Sequence, residues 1–161
     1  MWTVSTYHHG DLRAALLKAA ARILEKEGPD AISLRDLARG AEVSHNAPYR
    51  HFADRRALLD ALSDEGYAQL ADALRGKPWR EQAVAYVRFA LANPERFRLM
   101  FTRPVPATLR ALVEGEPVAQ ATWAMVHGLT HLILAGHFAG EEPEALVRRT
   151  LAEVRFAQRS A

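Results

Sequence analysis

Residues 33–52, SLRDLARGAEVSHNAPYRHF, admit few folds. Ser33 stands where a helix N-cap belongs, and Asp36 follows three residues later, close to the capping-box pattern with aspartate in place of glutamate. Gly40 then ends a helix only two turns long. After the short Ala41-Glu42-Val43 turn, Ser44 is placed to cap a further helix reaching about Phe52. A two-turn helix, a tight turn and a second short helix form the helix-turn-helix pattern. Ala38, Val43 and Phe52 are its expected buried positions, holding the two short helices at their crossing angle.

The flanks fit that unit. Residues 11–27 put Leu12, Leu16, Ala19, Ala20, Ile23 and Leu24 on one helical stripe, and Gly28-Pro29 stops the helix. Asp54 is positioned to cap a fourth helix, with Ala57, Leu58, Ala61, Leu62, Glu65 and Leu70 at helical spacing. A compact all-helical unit over residues 1–53 is therefore expected, followed by a second helical unit over 54–161.

Charge locates the chemistry. Net charge is +2, yet residues 1–56 hold nine Lys/Arg against seven Asp/Glu, so the excess lies wholly in the first third. A basic patch on a near-neutral chain suits a polyanion, and a helix-turn-helix lays the start of its second helix in the major groove of double-stranded DNA. His45 and Asn46 are best placed for base edges. Ala47 lets the backbone come close, and either Ala47 or the Pro48 ring could touch a thymine methyl. Tyr49, His51 and Arg55 suit phosphates, Ser33 and Ser44 could add phosphate contacts while capping, and Arg35 completes the DNA-contacting set.

These residues carry a resemblance. The runs YHHGDLRAALLKAAARILEKEG and ISLRDLARGAEVSHNAPYRHFADRRALLDAL resemble the N-terminal DNA-binding domain of the TetR family of bacterial transcriptional regulators, nearly unbroken from Tyr7 to about Gln69. Tyr49, His51 and Phe52, followed by a basic residue and Ala-Leu-Leu, carry the family's strongest signature. The resemblance implies that Tyr49, His51 and Arg55 fall on phosphate-contacting positions and residues 44–47 on groove-facing ones. Many members have glycine and threonine where this chain has Asn46 and Ala47, and leucine or isoleucine at Pro48, so docking carries over and base preference does not.

The remainder is also helical. Asn93-Pro94 breaks the run from Trp79 to Phe101 into two helices. Residues 117–138 are apolar almost all round, which is easiest if one face meets the core and another a second subunit. Ala121, Gly128 and Ala135 recur every seven residues as a smooth stripe for a partner helix. A last helix is expected from about Glu144 to Gln158, with Leu146, Val147, Thr150, Leu151 and Val154. NPERFRLMF and WAMVHG resemble a C-terminal subclass of the same family named for its Trp-His-Gly pattern. In that family the last two helices dimerise, and a pocket in each subunit binds a small molecule. The dimer set is accordingly Gly128, His131, Ala135, Leu146 and Thr150, and the effector set Tyr67, Tyr86, Phe89, Trp123 and His127. Chains of this kind usually carry more than the 21 residues found from Thr102 to Thr122, so the seventh helix and pocket wall are either cut down or lack residues in this stretch.

Other classes fare worse. With no cysteine, disulfides, thiolate catalysis and Cys-ligated zinc are excluded. His127 and His131, at i and i+4, could chelate a metal in a small helical enzyme, but only His137 offers itself as a third ligand, and His8-His9 is weaker. No phosphate-binding glycine loop or nucleophile–base set supports catalysis, and no cofactor is implied. The longest apolar run, GLTHLILAG, is too short to span a bilayer, no signal peptide opens the chain, and the expected location is the cytoplasm.

Overall fold

The computed structural model describes residues 9–113 and 119–153, all helical or in turns. Its elements are α1 (His9–Glu27), α2 (Leu34–Gly40), α3 (Arg55–Leu74), α4 (Trp79–Ala92), α5 (Pro94–Met100), α6 (Ala107–Val113), α7 (Ala119–Leu134) and α8 (Pro143–Glu153), with 3-10 turns at Pro29–Ala31 and Pro48–Arg50. His8, and Val154 onward of the expected last helix, lie outside the described residues.

Local chemistry explains the first half. Leu12, Leu16, Ala20 and Leu24 repeat every four residues along α1 and are all buried. Gly28 takes a left-handed φ of 82°, and its N–H donates to the Leu24 carbonyl, which closes the helix. Ser33 accepts from the Asp36 N–H at 3.4 Å to start α2, and Asp54 accepts from the Ala57 N–H at 2.7 Å to start α3.

The expected helix from Ser44 to Phe52 does not form as drawn. Residues 45–47 make a turn, and only Pro48–Arg50 are helical, in 3-10 form, without a side-chain cap. Proline explains it. A helix begun at Ser44 needs the N–H of residue 48 to meet the Ser44 carbonyl, and Pro48 has no N–H. The Ser44 carbonyl instead accepts from Ala47 N–H at 2.9 Å, and Phe52 N–H closes on the Pro48 carbonyl at 3.0 Å.

Two apolar clusters share α3. Leu58 and Leu62 pack with α1, α2 and Phe52, whereas Tyr67, Leu70, Ala71 and Leu74 pack with α4, α5, α7 and α8. Gly66, between them, lets α5 approach: a Cβ there would lie 2.6 Å from Met100 Sδ and 3.1 Å from Arg96 Cδ. Polar contacts also hold α5 and the residues after it to α1 and α3. Glu25 of α1 accepts from the backbone N–H groups of Glu95 and Arg96, and Arg103 reaches the Asp60 carbonyl and the Asp64 carboxylate of α3. α4 and α8 are cross-tied by Arg88–Glu144 and Arg148–Glu81 pairs.

Candidate nucleic-acid interface

Arg35 on α2 and His45, Asn46 and Tyr49 from the turn that follows line an open groove of about 600 Å³. All four are exposed, and Tyr49, at 44%, is a large ring turned to solvent. Behind them the segment is anchored. Pro48 and Phe52 are buried, Val43 and Ala47 pack against the first cluster, and Val43 N–H donates to the Ala38 carbonyl at 3.1 Å. The Arg13 guanidinium lies 5.3 Å over the Phe52 ring. A burial so complete takes the Pro48 ring out of reach of any thymine methyl, correcting that expectation.

The turn is tightened by strain. Glu42 holds φ at 55°, a left-handed conformation that costs a side-chain-bearing residue about 1–2 kcal/mol. Its neighbours define why it persists: Ala41 N–H and Glu42 N–H both close back on α2, to the Leu37 and Arg39 carbonyls.

Three arginines of this part of the chain, Arg35, Arg50 and Arg56, are exposed and have no ion-pair partner among the described residues, whereas Arg39 is paired with Asp36 at 3.1 Å. Ser44 is exposed, His51 half-buried, and Ser33 Oγ is occupied by its cap. The Arg55 guanidinium is engaged within the chain. Its Nε donates to the Ile32 carbonyl at 3.1 Å, and its Nη2 to the Pro29 carbonyl and the Asp30 carboxylate.

The residues expected to meet a small molecule lie in and around an aromatic cluster. Tyr86 and His127 share a 2.8 Å hydrogen bond between the phenol and Nδ1. Phe97, Phe101 and Trp123 surround His127 at ring separations of 5.8, 4.5 and 6.1 Å, and His131 is 4.6 Å away. Burial, and next the neighbouring His131, hold the His127 imidazole below the usual histidine range, while burial pushes the Tyr86 phenol up. A neutral imidazole can take either part in this bond, accepting from the tyrosine O–H or donating to its oxygen according to the tautomer. Trp123 and His127 are half-buried, so the cluster is open on their side. Tyr67, Tyr86 and Phe89 are all buried in one apolar cluster, and the Tyr67 O–H is spent on the Met100 carbonyl at 2.7 Å. Burial pushes that phenol up to about 12.

Of the expected dimer residues, Gly128 and His131 are exposed on α7, beside Leu132 at 45% exposure, and Ala135 is exposed just past its end. Leu146 is buried within the subunit and Thr150 is half-buried with its hydroxyl on the Leu146 carbonyl, because α8 turns this side toward α4. Among the described residues no three His, Asp or Glu side chains converge as a metal site requires.

Known proteins are similar to this chain in sequence and fold. A family model described as bacterial regulatory proteins, tetR family, matches residues 16–62, and one described as tetracyclin repressor-like, C-terminal domain, matches residues 79–122. An HTH-type transcriptional repressor of Mycobacterium tuberculosis is 31% identical over 121 residues, covering 75% of this chain and 61% of the relative. A solved protein of unknown function from Rhodococcus sp. RHA1 superposes with a TM-score of 0.76 at 34% identity, covering 91% of this chain and 94% of the other. TetR from Acinetobacter baumannii AYE superposes with a TM-score of 0.57 at 25% identity, covering 87% and 84%. The chain spans about half the length of the curated relatives it matches, between 45 and 61%.

Proposed function

This chain belongs to the TetR family of bacterial regulatory proteins, as a helix-turn-helix transcriptional regulator, and we propose that it is a ligand-responsive repressor acting in the cytoplasm. Residues 1–53 form the head that docks on double-stranded DNA, and residues 54–161 form the effector-binding and dimerising part. One observation carries this: an exposed groove of Arg35, His45, Asn46 and Tyr49 is seated on a buried apolar base, and Arg35 on it has no ion-pair partner among the described residues. Rigid backing, exposed donors and uncompensated positive charge are what groove recognition needs.

A homodimer would place two such heads on a near-palindromic operator. The α7 face carrying Ala121, Gly128 and Leu132, continued by Ala135, is exposed and apolar in one subunit, which supports burial against a second copy. The Trp123, His127 and Gly128 run supports placing this half in the subclass named for that pattern. An effector would enter on the open side of the aromatic cluster, against Trp123 and His127 with Tyr86 behind. α5 bears Phe97 on the cluster side and is tied to α1 and α3 on the other, so a shift there would tilt the heads. Each 1.4 kcal/mol of differential affinity between the two head spacings changes operator affinity tenfold.

Selection of duplexes from a randomised pool tests this. The protein should enrich a two-fold symmetric motif whose half-sites lie about one helical turn apart, roughly 34–36 Å or a multiple. A pool that enriches no symmetric motif would count against a dimeric repressor.

A further inference from the structure

The guanidinium of Arg55 joins two parts of the head that the chain itself leaves apart. Arg55 is the first residue of α3, three positions after Phe52, where the groove-lining segment ends. Its acceptors, the carbonyls of Pro29 and Ile32, belong to the connection that delivers Ser33, the N-cap of α2. One planar fork thus fixes the entrance of α2, which carries Arg35, against the exit of the segment that carries Tyr49. Asp54 caps α3 immediately before it, so the Arg55 backbone is itself held. Turning the side chain toward a phosphate would break both carbonyl bonds and the contact to Asp30 at 3.3 Å.

We propose that Arg55 is a positioning residue for DNA recognition and not a phosphate contact: it sets the distance between the two elements that line the groove. This rests on the DNA-binding reading above. Lysine cannot replace it, since an ammonium is a point donor and the two carbonyls are met by a fork. A phosphate contact would weaken all DNA alike and reduce the salt slope, whereas a misplaced groove wall weakens only the sequence it reads.

The test compares wild type, Arg55→Gln and Arg55→Lys on a duplex that the wild-type protein selects from a randomised pool and on a random duplex of equal length. Anisotropy titrations at several salt concentrations, far below each variant's melting temperature, give both affinities and the slope. Both variants should lose roughly tenfold in affinity for the selected duplex, the cost of about one mismatched base pair. Affinity for random DNA should stay within about twofold and the slope should match wild type. Equal loss on both duplexes with a slope lowered by about one, rescued by Arg55→Lys, would overturn the proposal in favour of a phosphate contact. So would an unchanged ratio between duplexes, whatever happens to the melting temperature. If wild type itself fails to tell the duplexes apart, the DNA-binding reading falls, and that arm reports it before any variant is made.

Discussion

Replacing Glu25 with alanine removes a helix cap supplied from another part of the chain. The first turn of α5 leaves backbone N–H groups without intrahelical partners. Pro94 has none to offer, and Phe97 N–H reaches the Asn93 carbonyl at 2.8 Å. Glu95 and Arg96 remain, and the Asn93 side chain, the usual cap, is turned back to donate to the Phe89 carbonyl at 3.1 Å. The Glu25 carboxylate takes both, at 3.1 and 2.9 Å, from α1. Hydrogen bonds to a charged acceptor are worth about 1.5–3 kcal/mol, and cap removal costs about 0.5–2 kcal/mol. The site is part-buried, so water recovers some of this, and Glu25→Ala should cost about 2 kcal/mol. For a chain of this size that is a melting temperature lower by roughly 4–8 °C. Urea melts followed by circular dichroism would measure it, with Glu25→Gln, which keeps one acceptor oxygen, falling between. A loss under about 0.5 kcal/mol in both variants would refute the capping argument.

Gly66→Ala should destabilise by about 1–2 kcal/mol, since overpacking against buried Met100 and Arg96 outweighs alanine's helix preference; an equilibrium urea midpoint equal to or above wild type would contradict the close approach. Glu42→Gly should stabilise by about 0.5–1 kcal/mol by relieving the positive φ, less the entropy glycine adds to the unfolded chain, as thermal melts would show. His127 titrates below its unfolded value, so the unfolded chain binds the extra proton first and stability falls as pH drops from 6.5 toward the folded value. His127→Phe should flatten that part of the melting-temperature profile, and an unchanged slope would show that other groups cause it.

Much of the first unit was legible because its determinants are local. Ser33, Gly28, Asp54 and the four-residue leucine spacing of α1 act through neighbours within one turn, and each does in the structure what its position implied. Pro48 was visible too, but its missing N–H falls on the very bond that would have begun the helix at Ser44, leaving a 3-10 turn. Long-range partners were not legible. Tyr67 and Tyr86 resemble pocket residues by type, yet the hydroxyl of the first is claimed by Met100 and that of the second by His127, 33 and 41 residues away. Arg55 is basic and at a helix start, which speaks for phosphate. Only the fold brings the Pro29 and Ile32 carbonyls beneath it. Glu25 gave no local signal at all. The sequence points to Asn93 as the cap of α5, and only the fold shows its amide turned back to Phe89 with Glu25 in its place.

Binding to the DNA beside the protein's own gene, by wild type and Tyr49→Ala, tests the central claim most directly. Fluorescence anisotropy at several salt concentrations should give tight wild-type binding that weakens steeply with salt. Tyr49→Ala, which removes an exposed ring from a base that stays buried, should lower the affinity without lowering the melting temperature. Weak binding, equal on random DNA and indifferent to Tyr49, would contradict the account.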